Sequence, residues 1–406
     1  MNEPNLEGGK RHRSPQVLRY VLEAGAVLLI AILGSAVLAM HLTRPPISYG
    51  QERPDLGSTV QARVEGILDQ SETRDENGLY MVYQKLELRI LTQGVYGGEL
   101  MTIDYHGMGP TLDGVRFRQG ARALVMITDV PGNELIEART LYQVADHVRL
   151  WPLGLVASLF VVITIGIGRW RGVRAIVGLA TSGLVIGGFI MPQILAHRDP
   201  VLVTMIGAGL LLAVTLYLIQ GWNVIGHTAL FSMLASLGVT AALALFATRV
   251  TFLTGFGSEE TLFLQAVGVG VQMRGLLLAG MILGAAGVLD DVIIAQAVTV
   301  FELRAADQTL PPWELYRRGM RIGVTHLASM INTLALAYAS TALPLLILFY
   351  LYPEPVHLTI NRELLSEEIV RTLVGSMGLM LAVPLTTVLS AWVAPQFDEI
   401  PTERTS

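Results

Sequence analysis

Apolar runs separated by short charged stretches fill most of the chain, and a region of alternating polar and apolar positions interrupts them near the start. A run of roughly 17–25 apolar residues can cross a hydrocarbon layer of about 30 Å as a helix. On that basis the pattern predicts eight spans, at 24–40, 153–167, 175–191, 201–219, 229–247, 276–300, 327–350 and 372–393. Between the first and second, short β-rich runs at 58–68, 79–91, 99–105, 121–128 and 134–142 alternate with Gly/Asp turn signals. Five short strands fit a small sandwich or an OB-like barrel. His106 stands just past the third run and reads as a solvated loop residue. One apolar stretch, 262–273, is too short to span and reads equally as a re-entrant or an interfacial segment.

The domain plan is therefore a basic N-terminus with one membrane anchor (1–43), an exported β-rich domain (44–149) and a seven-helix bundle (150–406). A cleaved export signal is the alternative for the first run, and it leaves the following domain exported all the same. Composition agrees with a polytopic α-helical membrane protein. The chain is 52% hydrophobic and 15% charged, against about a quarter charged in soluble domains, with a mean hydropathy of +0.53. A net charge of -5 disfavours nucleic acid as a partner. The absence of cysteine excludes disulfides, thiolate metal sites and Cys nucleophiles. Bases cluster at Lys10, Arg11 and Arg13, at Arg169, Arg171 and Arg174, and at Arg304, Arg317, Arg318 and Arg321. Retention of Lys and Arg on the cytoplasmic side then places both termini inside.

The chemistry that stands out is Asp290 and Asp291 in the middle of the span 276–300, because a carboxylate at a helix centre costs roughly 2.5–3.5 kcal/mol on insertion scales. Gly280, Gly284, Gly287 and Asp291 share one helical stripe, which predicts that Asp291 sits in a packed seam. Counting residues from the cytoplasmic ends puts Asn332 level with the two acids and His326 level with Gln296. These five residues are the expected polar path, a ladder between two adjacent helices. Glue between helices is the plainer reading of Asn332 and Gln296. Metalloprotease, phosphate-loop and nucleophile-elbow motifs are absent, so no enzyme activity and no cofactor are expected.

Gly284 to Val292, reading Gly-Ala-Ala-Gly-Val-Leu-Asp-Asp-Val, continues through Gln296 to Phe301-Glu302-Leu303 and resembles a signature of the YibE/F family of bacterial multi-pass membrane proteins. The segment from Glu314-Leu315 through His326 and Asn332 to Tyr338, ahead of Leu343-Pro344, is similar to the same family's second hallmark. The resemblance implies that Asp291 is the family's recurrent intramembrane acid, with Asp290 its doubled partner. It also sets Val324-Thr325 apart, since the family pattern has Arg-Asp there. The expected function is a secondary transporter or transport component, coupled to protons or cations through the Asp pair. The alternative is a non-transporting scaffold or sensor whose exported domain binds a ligand or partner protein. Expected partners are the lipid bilayer, a solute or cation, and a second copy or another membrane protein.

Overall fold

The computed structural model describes residues 15–43, 58–76, 78–92, 97–130, 139–351 and 354–397. Lys10, Arg11, Arg13 and the first half of the predicted fifth strand (134–138) lie outside the described residues. The elements are α1 (Pro15–Leu42), β1 (Ser58–Arg74), β2 (Tyr80–Ile90), β3 (Leu100–Gly109), α2 (Leu112–Val115), β4 (Arg122–Val130), β5 (Arg139–His147), α3 (Leu150–Val185), a π turn (Ile186–Ile190), α4 (Met191–Leu195), α5 (Pro200–Gln220), α6 (Val224–Val250), α7 (Glu259–Ala266), α8 (Met273–Ala306), α9 (Pro312–Thr341), α10 (Leu343–Leu351), α11 (Val356–Ile360) and α12 (Glu363–Val393). Among the described residues, 58–167 form one compact unit and 15–43 with 168–397 a second. The border thus falls inside α3, not at 150.

In the first unit the strands form one antiparallel sheet in the order β3-β2-β1-β4-β5. The outer strands β3 and β5 approach each other, so the sheet is nearly closed. β1 makes this possible: its first residues pair with β4, its remainder pairs with β2, and register shifts at Val64/Gly66 and Ile67/Asp69 bend it between the two. Alternate residues turn inward, giving a core of Val64, Leu86, Leu88, Ile103, Phe117 and Val125. Gln84 is fully buried in it, donating to the Phe117 carbonyl at 3.0 Å and accepting from the Phe117 N–H at 2.8 Å. His106 lies on β3 opposite Tyr83, with ring centroids 5.1 Å apart, and is therefore a strand residue and not a loop one.

Seven helices of the described residues are long and apolar enough to cross a membrane. One of them, Leu150–Leu195, has 46 residues and would reach roughly 70 Å at 1.5 Å per residue, more than twice a hydrocarbon thickness. Its helical geometry breaks at Arg169 (φ 49, ψ -126), between the two predicted spans 153–167 and 175–191. In the second unit α6, α8 and α12 pack at the centre, where Leu230, Met233, Leu237, Ile282, Leu289, Ile293 and Ala382 share one core with Leu212 and Leu216 of α5. Short turns are fixed by local chemistry. Asp199 caps α5 through the Leu202 N–H at 2.8 Å, and Asn223 caps α6 through the Gly226 N–H at 2.7 Å.

The stretch 262–273 becomes α7, capped by Ser258, and then a turn in which Gly268 and Gly270 take φ of 74° and 64°. No residue of α7 is buried, so it is a short surface helix and not a segment enclosed by protein. At the same end Glu363 accepts from the backbone N–H of Thr254 and Gly255, and Glu367 from that of Gly257. α12 therefore starts nine residues ahead of the predicted span at 372.

Candidate functional site

α8 shows three faces. Ile282, Ala286, Leu289, Ile293 and Ala297 belong to the core shared with α5 and α6, while Val292 and Gln296 meet α9 and α12. The third face carries Gly280, Gly284, Gly287 and Asp291, all exposed. The stripe exists as predicted, but it is not a packed seam. A Cβ added at Gly280 or Gly287 would meet no atom within 4 Å, and one at Gly284 would meet only the Tyr338 hydroxyl. The large apolar side chains of α8 occupy the other two faces and claim the neighbouring helices, which leaves the glycine stripe open. Asp290, turned about 100° from Asp291, is half-buried, and its Oδ1 is enclosed with no hydrogen-bond partner among the described residues.

Gln296 is buried and joins three helices, with its Nε2 donating to the Gly319 carbonyl at 3.0 Å and to Thr387 Oγ1 at 2.8 Å. Gly319 and Gly323 make room for it, since a Cβ at Gly323 would come within 2.7 Å of Gln296 Oε1. Gln296 thus meets α9 about one turn nearer its start than His326. His326 and Asn332 are exposed; Asn332 lies on the side of α9 away from its buried residues Leu315, Gly319, Gly323, Leu327 and Leu334, and His326 at the edge of that buried face. No described hydrogen bond joins either to Asp290, Asp291 or Gln296. The ladder expected from depth does not form, because depth along a helix says nothing about its rotation. Rotation here follows the small and apolar residues at 315, 319, 323 and 327, which pack inward.

Towards its C-terminus the open face of α8 continues from Asp291 through Ala295 and Val298 to Glu302. There it borders a cavity of about 470 Å³ whose other walls include Arg171 and Arg174 of α3 and Gln220 of α5. The arrangement puts the charged segment after Arg169 at the same end of the bundle as Glu302. The opposite end carries the Arg198 side chain bonded to Thr43, together with the Glu363 clamp.

Other polar groups escaped the sequence reading. Glu368 and Arg371 of α12 form an ion pair of 2.7 Å, and Glu368 lines a smaller cavity of about 240 Å³ with Tyr338. The spacing of three between an acid and a base was the available signal. The buried His227 holds the Tyr217 hydroxyl at 2.8 Å through Nδ1, and a lone His at a predicted span boundary gave no signal for it. Among the described residues no three His, Asp or Glu side chains are grouped to hold a metal ion.

Comparison with curated proteins and with solved structures gives no match. The sequence model of the YibE/F-like protein family matches residues 156–396, well over half of the chain, and this stretch contains both acids, the Gln296 junction and both cavities. The chain belongs to the YibE/F-like protein family.

Proposed function

We propose that this protein is a secondary transporter or transport component of a bacterial cell membrane, driven by protons or cations that bind at Asp290 and Asp291. The observation that carries the reading is the pair itself. Two adjacent carboxyl groups sit in the middle of a 34-residue apolar helix, one with an oxygen enclosed and unpartnered, the other on an open face that leads to a cavity at the helix end. Packing does not require them, and an acid in such a position adds insertion cost unless it is used. The break at Arg169 supports a reading of α3 as two crossings, which gives eight in all with both termini cytoplasmic. Residues 44–149 are then outside. The strand order 3-2-1-4-5, with β3 beside β5, supports an OB-like barrel that captures solute or a partner before transfer. Gln296 acts as glue, while His326 and Asn332 lie off this path.

A pH jump applied to protein reconstituted on a solid-supported membrane tests the reading without knowledge of the solute. Proton binding at an intramembrane acid displaces charge, and a transient current should appear in the native protein. It should disappear in Asp291→Asn and Asp290→Asn at unchanged protein content. A current that persists in both variants would point to the scaffold reading, in which the acids carry no proton.

A further inference from the structure

The outward face of the sheet unit gathers soft metal ligands that neither the Asp pair nor the closure of the sheet uses. In β2 and β3 every second residue points away from the core. Met81 and Met108 are register partners on that face, and Tyr83 and His106 are the next outward pair, two residues along each strand. Met81 is 50% and Met108 64% exposed, whereas Met101 and Met126, the other methionines of the unit, are half-buried. Opposite residues have Cβ atoms about 4.5–5.5 Å apart, and residues two apart on one strand are separated by about 7 Å. Two thioethers and one imidazole therefore stand within side-chain reach of a single point. An exposed pair that served cross-strand packing alone would be better made of β-branched or aromatic residues. Among the described residues no hydrogen bond ties up either ring nitrogen of His106. Tyr83 holds the imidazole from the side: its ring centroid lies 5.1 Å from that of His106, and its hydroxyl donates to Asp104 Oδ1 at 2.8 Å. In the following row Lys85 pairs with Asp69 on one side and Asp104 on the other, so two acids face one base and the neighbourhood favours a cation.

We propose that Met81, Met108 and His106 form a binding site for a soft monovalent metal ion, copper(I), held by two thioether sulfurs and one imidazole nitrogen. Thioethers favour Cu(I) over harder divalent ions, and because the chain has no cysteine, methionine is its only soft ligand. With one imidazole and no thiolate, the set lacks the ligands that Zn(II) takes. The inference stands on the sheet unit alone and needs neither transport nor a membrane topology. Purified full-length protein in mild detergent, kept reduced with ascorbate, is mixed with the coloured Cu(I)–bicinchoninate complex, whose loss of colour reads transfer of the metal. The native protein should withdraw one equivalent. Met81→Leu/Met108→Leu keeps apolar side chains of similar size at exposed positions and should withdraw none. His106→Phe should weaken binding by more than about tenfold, the least that loss of even an outer-shell partner costs. X-ray absorption at the copper edge of the native complex, which depends on no variant, should show two sulfurs and one nitrogen around the metal. Zn(II) at equal concentration should displace nothing. No withdrawal by the native protein, equal withdrawal by the folded double variant, a copper environment of nitrogen and oxygen alone, or displacement by Zn(II) would overturn the proposal. Asp291→Asn should withdraw copper as the native protein does, so failure here is separable from failure of the transport reading.

Discussion

Gln84 and His147 show how single polar side chains are placed inside the sheet unit. Gln84 satisfies both backbone groups of Phe117, so Gln84→Leu leaves a buried N–H and a buried carbonyl without partners and should cost about 1–3 kcal/mol. Chemical denaturation of the full-length protein, followed by the near-ultraviolet signal of the tyrosine-rich sheet, should read that loss. His147 stacks on Phe117 at 3.9 Å with its Nε2 enclosed. Burial holds its pKa below the usual 6.5; Arg149 adds to this, while Asp146 and the Gly114 backbone pull the other way. A histidine depressed in the folded state binds fewer protons there than when unfolded. The stability it contributes is therefore full above about pH 6.5 and is lost as pH falls through that value towards the folded pKa. The same denaturation at pH 7.5 and pH 5.5 should show the loss, and His147→Phe, which keeps a ring on Phe117, should shrink it.

At the scale of helices, the glycines divide by the faces they occupy. A methyl group at Gly323 would lie 2.6 Å from Val383 Cγ1 and 2.7 Å from Gln296 Oε1, so Gly323→Ala should cost about 1–3 kcal/mol through overpacking. Gly287→Ala meets nothing within 4 Å and should leave stability unchanged or raise it by up to about 1 kcal/mol through helix propensity. Thermal unfolding of the two variants side by side checks this, and equal losses would mean that the glycine face of α8 is packed after all. The sequence pattern located these helices well, because a run of apolar residues marks a span whatever it packs against. It read the spacing of Gly280, Gly284, Gly287 and Asp291 correctly as one stripe. It assigned that stripe to a seam because small residues pack in many membrane helices, whereas here Leu289, Ile293, Val292 and Gln296 take all the neighbouring helices. The start of α12 was hidden for a different reason. Glu363 and Glu367 look like loop residues by charge, yet they serve as acceptors for the backbone of residues 254–257, a contact more than 100 positions away that no local pattern contains.

Over the whole molecule, the chain folds into a nearly closed sheet unit and a helical unit, and in the latter one face of α8 is left open from Gly280 to Glu302. Under the proposed function this face, and not the interior of a polar ladder, is the route by which ions reach Asp291. From Glu302 to Asp291 is about 16 Å at 1.5 Å per residue, roughly half of a hydrocarbon layer. A face turned to lipid over that distance would be dry, and a face turned to water would not. The chain contains no cysteine, so single cysteines can be placed along α8 without background. The direct measurement is the rate at which a small, membrane-impermeant, charged thiol reagent modifies cysteines at Asp291, Ala295, Val298 and Glu302, compared with Leu289 and Ile293, when added from the side of Arg171 and Arg174. The account predicts modification at all four positions of the open face, slowing with depth, and none at the two core positions. Reaction at Glu302 alone, with Asp291, Ala295 and Val298 inert, would show that the face is covered by lipid and would contradict the account.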